Sequence, residues 1–63
     1  MTTADRIRSY MKKHGLSQER FGKVAGMPQT TVGHILRGGN VGAAVALKLA
    51  PFFGVKPERL LGK

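Results

Sequence analysis

The chain has no cysteine, no tryptophan and only three acidic residues. Each shortage excludes something. Without cysteine there is no disulfide framework and no thiolate metal site, so helix packing must hold the fold together, as suits a reducing compartment. The carboxylates Asp5, Glu19 and Glu58 are scattered, and the two histidines, His14 and His34, fall in different segments. No paired acids, no Ser-His-Asp order and no metal-ligand spacing arise from them, so no catalytic residue, metal, cofactor or small-molecule substrate is expected. GGNVG at 38–42 is not a phosphate-binding fingerprint, because no strand precedes it and its spacing is wrong. Long apolar runs are missing too. The longest candidate, VGAAVALKLAPFFGV, is interrupted by Lys48 and Pro51 and falls short of the ~20 residues a membrane span needs. The start, MTTADRIRSYMKKHG, scatters charge and lacks an apolar centre, so it does not read as a signal peptide, and a soluble cytoplasmic domain is expected.

What is abundant is positive charge. Eleven Lys and Arg against three acids give a formal net charge of +8 on 63 residues, with a sequence pI near 11.1. A field of several kT on so short a chain draws polyanions. Nucleic acid leads as the partner, because each phosphate that Lys or Arg neutralises releases condensed counterions. An anionic membrane surface is the second reading, and charge serving solubility alone is the third. A chain of this length forms one domain, residues 1–63, that buries only about 60% of the surface its unfolded form exposes.

Apolar periodicity predicts an all-α fold of five short helices punctuated by glycine. The first runs from about Ala4 to His14, with Ile7, Tyr10, Met11 and His14 on one face, Thr3 as N-cap and Gly15 as its stop. The second starts behind the capping hydroxyl of Ser17, with Leu16 placed to pack on Phe21. Phe21, Val24 and Ala25 are expected inward, and Gly26 ends the helix. The third, Gln29 to Arg37, stops at Gly38 and Gly39. The fourth, Ala43 to Phe53, is expected to bury Val45, Leu49, Phe52 and Phe53, with Pro51 kinking or tightening its last turn. In KPERLLGK, Pro57 takes the favoured first position of a fifth helix, anchored by Leu60 and Leu61.

Two short helices joined by a glycine-containing turn, SQERFGKVA then GMP then QTTVGHILR, make a helix-turn-helix pattern. With FFGVKPERLL downstream at the right spacing, the chain resembles the Cro and repressor DNA-binding domains of lambdoid phages and their bacterial relatives, the XRE-type family. The likeness runs from about Ala4 to Gly62 and implies a compact, lambda-repressor-like five-helix fold, with helices 2 and 3 forming the motif. It further implies double-stranded DNA as the partner, with the third helix in the major groove. The base-reading positions are then Gln29, Thr30 and His34 on one face, with Thr31 beside them. A Gln amide can pair with adenine N6 and N7, and a Thr methyl can pack on a thymine methyl. His34 suits a guanine acceptor, a phosphate or plain solvent. Gln18 matches a position that binds phosphate and braces the third helix. Arg37 and the backbone N–H groups of Gly38 and Gly39 match a phosphate-contacting segment, although these glycines also serve as a helix stop. Arg8, Lys12, Lys13 and Lys23 are further electrostatic candidates.

Departures from the family pattern are informative. Pro28 stands where a capping Ser or Thr is common. Met11 and Leu36 occupy positions where relatives pair an Arg with a Glu, so an apolar contact is expected to replace the ion pair, a swap often neutral or stabilising by ~1–4 kcal/mol. The loop before the fourth helix, GGNVGA, carries no basic residue, and Arg59 falls where some relatives place an apolar dimer residue. The expected function is a sequence-specific transcriptional regulator, foremost a Cro-type repressor bound as a homodimer to a pseudo-palindromic operator. Antitoxins and restriction-modification controllers share the fold and remain alternatives. A membrane-active basic peptide fits poorly, since it would be one longer amphipath rather than five capped segments.

Overall fold

The helices end where glycine interrupts the apolar periodicity. The computed structural model describes residues 2–62; Met1 and Lys63 of the expected 1–63 domain lie outside the described residues. Four α-helices follow one another: α1 (Thr3–His14), α2 (Gln18–Ala25), α3 (Gln29–Leu36) and α4 (Ala43–Phe53). The expected fifth helix is a correction, for Pro57–Arg59 forms a single 3₁₀ turn. Its reason is tertiary. Leu60 must bury completely, and the chain then turns back to pair Gly62 with Val41 in an isolated antiparallel bridge. The bridge bonds are Val41 N–H to Gly62 O at 2.6 Å and Gly62 N–H to Val41 O at 3.0 Å.

The start of α1 lies one residue earlier than the pattern predicts. Thr2, not Thr3, is the N-cap, and with Asp5 it forms a reciprocal capping box. The Thr2 backbone N–H donates to Asp5 Oδ2 at 3.2 Å, and the Asp5 N–H donates to Thr2 Oγ1 at 3.1 Å. Thr3 is thereby freed to point inward, where its buried hydroxyl donates to the Leu60 carbonyl at 3.1 Å. That bond ties the first helix to the far end of the chain.

The core joins Ile7, Phe21, Ala25, Met27, Val32, Ile35, Val41, Ala46, Leu49, Ala50 and Leu60. Burying each large apolar side chain here contributes roughly 1.5–3 kcal/mol. Tyr10 gathers the aromatic side chains at one edge: its ring lies 5.7 Å from Phe21, 5.6 Å from Phe52 and 6.1 Å from Phe53, all edge-on. Phe52, Phe53 and Val45 are half-buried rather than fully buried. Val24, expected inward, is 52% exposed. The inner face of α2 is set by Phe21, Gly22 and Ala25, all buried, which leaves Val24 on the flank. Pro51 does not interrupt α4, which continues to Phe53.

Candidate nucleic-acid interface

The geometry of the interface begins at the seam between α2 and α3. Gly22 lies in the middle of α2, where glycine costs about 1 kcal/mol against alanine. A Cβ there would sit 2.6 Å from the Met27 carbonyl oxygen and 3.5 Å from the Gln29 nitrogen. Only a bare Cα lets α2 approach the turn so closely. Lys48 closes the same turn from α4, its ammonium donating to the Gly26 carbonyl at 2.8 Å. On the inner side, Val32 and Ile35 are buried and hold α3 to the core.

That anchoring leaves the opposite face of α3 outward. Gln29, Thr30, His34 and Arg37 are exposed there, and Thr31 is half-buried at its edge. Pro28 gives α3 no side-chain cap, whereas α1 and α2 have Thr2 and Ser17. The bare first turn therefore presents backbone N–H groups and the positive end of the helix dipole beside Gln29 and Thr30. At the other end, Gly38 takes φ +92. The Gly38 N–H donates to Ile35 O at 3.0 Å and the Gly39 N–H to His34 O at 2.9 Å, a Schellman closure. These two N–H groups are thus engaged by the helix stop; open space surrounds Gly38, whereas Gly39 is half-buried. The His34 ring lies against Gly39, in the space a Cβ would fill.

A family model described as helix-turn-helix matches residues 7–60. The chain belongs to the helix-turn-helix family. The match supports a domain of Cro and repressor type, and with it a DNA-binding transcription regulator. Comparison with curated proteins and with solved structures found no match. Among the described residues no helix is long and apolar enough to cross a membrane.

In helix-turn-helix terms, α3 occupies the position of the recognition helix and α2 that of the helix before it. Gln18, the first residue of α2, reaches across to α3: its Oε1 lies 3.3 Å from the point where Gly33 would carry a Cβ. The Arg37 guanidinium comes within 3.2 Å of the same point. Gln18 and Arg37, each matched by resemblance to a phosphate-contacting position, therefore approach the same point on α3. Met11 and Leu36 are both half-buried and packed against the common core, and the polar link between α1 and α3 is made differently. Arg8 donates from its guanidinium to the Leu36 carbonyl, near the end of the recognition helix, where positive charge also meets the negative end of the dipole.

The remaining basic candidates separate by their neighbours. Arg8 also pairs with Asp5 at 3.6 Å, and Lys23 pairs with Glu19 at 3.5 Å, both at the surface. Exposed pairs of this kind are worth little. Hydrogen bonds from Thr2, chiefly its backbone N–H and then its hydroxyl, hold the Asp5 carboxyl below the usual carboxylate range, with a smaller contribution from Arg8. Lys12 and Lys13 are exposed at the end of α1. Four contributors escaped sequence reasoning: Gly22 as the seam, Arg8 as a link to α3, Lys48 as a brace for the turn, and Gly33. A signal existed for the last, because glycine inside an eight-residue helix asks for a packing or functional reason.

Proposed function

We propose that this helix-turn-helix chain is a sequence-specific regulator of the Cro repressor type, acting in the bacterial cytoplasm as a homodimer on a pseudo-palindromic operator. One observation carries the reading: Gln29 and Thr30 stand exposed on the uncapped first turn of a helix whose other face is buried through Val32 and Ile35. An amide and a hydroxyl so placed meet base edges when α3 enters the major groove. Two copies would set recognition helices ~34–36 Å apart on the duplex, and repression follows from steric competition with polymerase. Arg6, Lys56 and Arg59 line one surface groove beside the 3₁₀ turn with a single acid, Glu58, among them, so self-association through that face meets an excess of positive charge, which DNA between the copies would offset. The chain acts by binding rather than catalysis, a reading supported by its carboxylates: Asp5 and Glu19 are engaged by Arg8 and Lys23, and Glu58 stands on another element.

Selecting bound sites from random duplex DNA tests this reading, since it yields the motif, its symmetry and its half-site spacing together. On the selected site, Gln29→Ala should cost ~1–3 kcal/mol and relax the preference at one base pair, while Arg37→Ala should weaken all sequences alike. If both changes weakened every duplex equally, Gln29 would not be a base reader. A selection that returns asymmetric single sites would remove the dimer.

A further inference from the structure

Gly33 lies four residues after Gln29 and four before Arg37, on the row of α3 that faces outward. Despite this position it is buried. The atoms nearest the site of its missing Cβ belong to two side chains, the Gln18 amide from α2 and the Arg37 guanidinium from the C-cap of α3 itself. Their Oε1 and Nη1 atoms lie 3.3 Å and 3.2 Å from the site of the missing Cβ, with Arg37 Cζ at 3.9 Å. An alanine methyl would meet both.

We propose that Gly33 is a positioning residue for phosphate binding: its bare Cα forms a notch in which Arg37 folds back beside Gln18, making the two side chains one clamp for a backbone phosphate. The inference rests on the DNA-binding reading and deepens it. Arginine presents a rigid fork of N–H donors suited to phosphate oxygens, but its long side chain loses rotamer freedom when it is fixed. Held in the notch before DNA arrives, it has already lost part of that freedom, so binding costs less. With the Gln18 oxygen directed at the notch, its two amide N–H donors are left for the same anion. Glycine therefore persists in a helix interior where it weakens the helix, because any side chain would separate the clamp's two halves.

The effect on stability and the effect on binding have opposite signs, which makes the test sharp. Gly33→Ala should raise the thermal midpoint by several degrees, as alanine favours the helix. The same variant should bind a generic duplex of about 20 base pairs roughly three- to tenfold more weakly at low salt. The slope of log K against log salt should become shallower by about one unit, the mark of a lost phosphate contact. In an Arg37→Ala background, Gly33→Ala should leave affinity and salt slope unchanged. A Gly33→Ala variant with wild-type affinity and slope overturns the clamp, as does an equal loss in the Arg37→Ala background or a lowered thermal midpoint. A wild-type chain that binds no duplex overturns the DNA-binding reading, and the clamp with it.

Discussion

Three helices of this chain end in the same way and the fourth does not. After α1, α2 and α4, a left-handed glycine is followed by an apolar residue that packs inward: Leu16 after Gly15, Met27 after Gly26, Val55 after Gly54. In each case that residue's N–H donates five residues back, to Met11, Gly22 and Ala50 respectively. The recognition helix makes the same closure with Gly38, but the next residue is Gly39, which plugs nothing and carries the His34 ring. Its start differs as well, because Pro28 supplies no capping side chain. Helix α4 shares a bare start at Gly42 but ends on Val55. Helix α3 is thus held from its inner side, through Val32, Ile35 and the Gly22 seam, while its outer face stays exposed.

The largest expected effect probes that inner side. Ile35→Ala should lower unfolding free energy by about 2–5 kcal/mol in a urea titration, by transfer and cavity terms together. A cost below ~1 kcal/mol would mean that α3 is anchored elsewhere. Next comes the seam. Gly22→Ala should destabilise by about 1–3 kcal/mol, because a methyl cannot share space with the Met27 carbonyl and backbone cannot yield cheaply. Helix propensity alone would give the opposite sign, a gain of about 1 kcal/mol, so a stabilised variant would break the account of the seam. Gly39→Ala should change stability by less than ~0.5 kcal/mol, since only the flexible His34 ring need move. Its signature is a displaced His34 resonance in NMR spectra, and an unmoved ring would show that the two residues are not in contact. The smallest effect concerns the capped start of α1. The depressed Asp5 carboxyl makes its capping stabilisation present above the ordinary aspartate range and lost as pH falls through its folded value. Acid should therefore fray α1 in the wild type, and Asp5→Asn should flatten that limb of the melting profile while leaving neutral-pH folding in place.

Much of this architecture is legible in the residues. Ser17, Gly15, Gly26 and Gly54 punctuate the helices where local chemistry says they must, since caps and left-handed turns depend on only a few neighbouring atoms. Legibility ends where two local solutions compete. Thr2 and Thr3 are equally able to cap, and the choice fell to Thr2 because Asp5 then reciprocates and Thr3 reaches Leu60. Val24 fits a helical apolar stripe as well as Ala25 does, but α2 turns its Gly22 and Ala25 inward and leaves Val24 outside. KPERLLGK has a helix start without room for a helix, because burying Leu60 and pairing Gly62 with Val41 use the residues it needs. Gln29, Thr30, His34, Gln18 and Arg37 were nameable from the motif as surface positions, and the structure leaves all of them exposed, whereas the notch at Gly33 was not nameable.

By itself, the sequence determined the charge that draws polyanions, the helical period, the glycine stops and the polar set on the outer side of α3. These depend on composition and on contacts within one or two turns. Tertiary structure alone decided that Gly22 is a seam, that Gly33 is covered by Gln18 and Arg37, and that Arg8 closes on the Leu36 carbonyl. Glycine carries no side chain whose pattern could announce a neighbour, so its meaning appears only when another part of the chain arrives beside it.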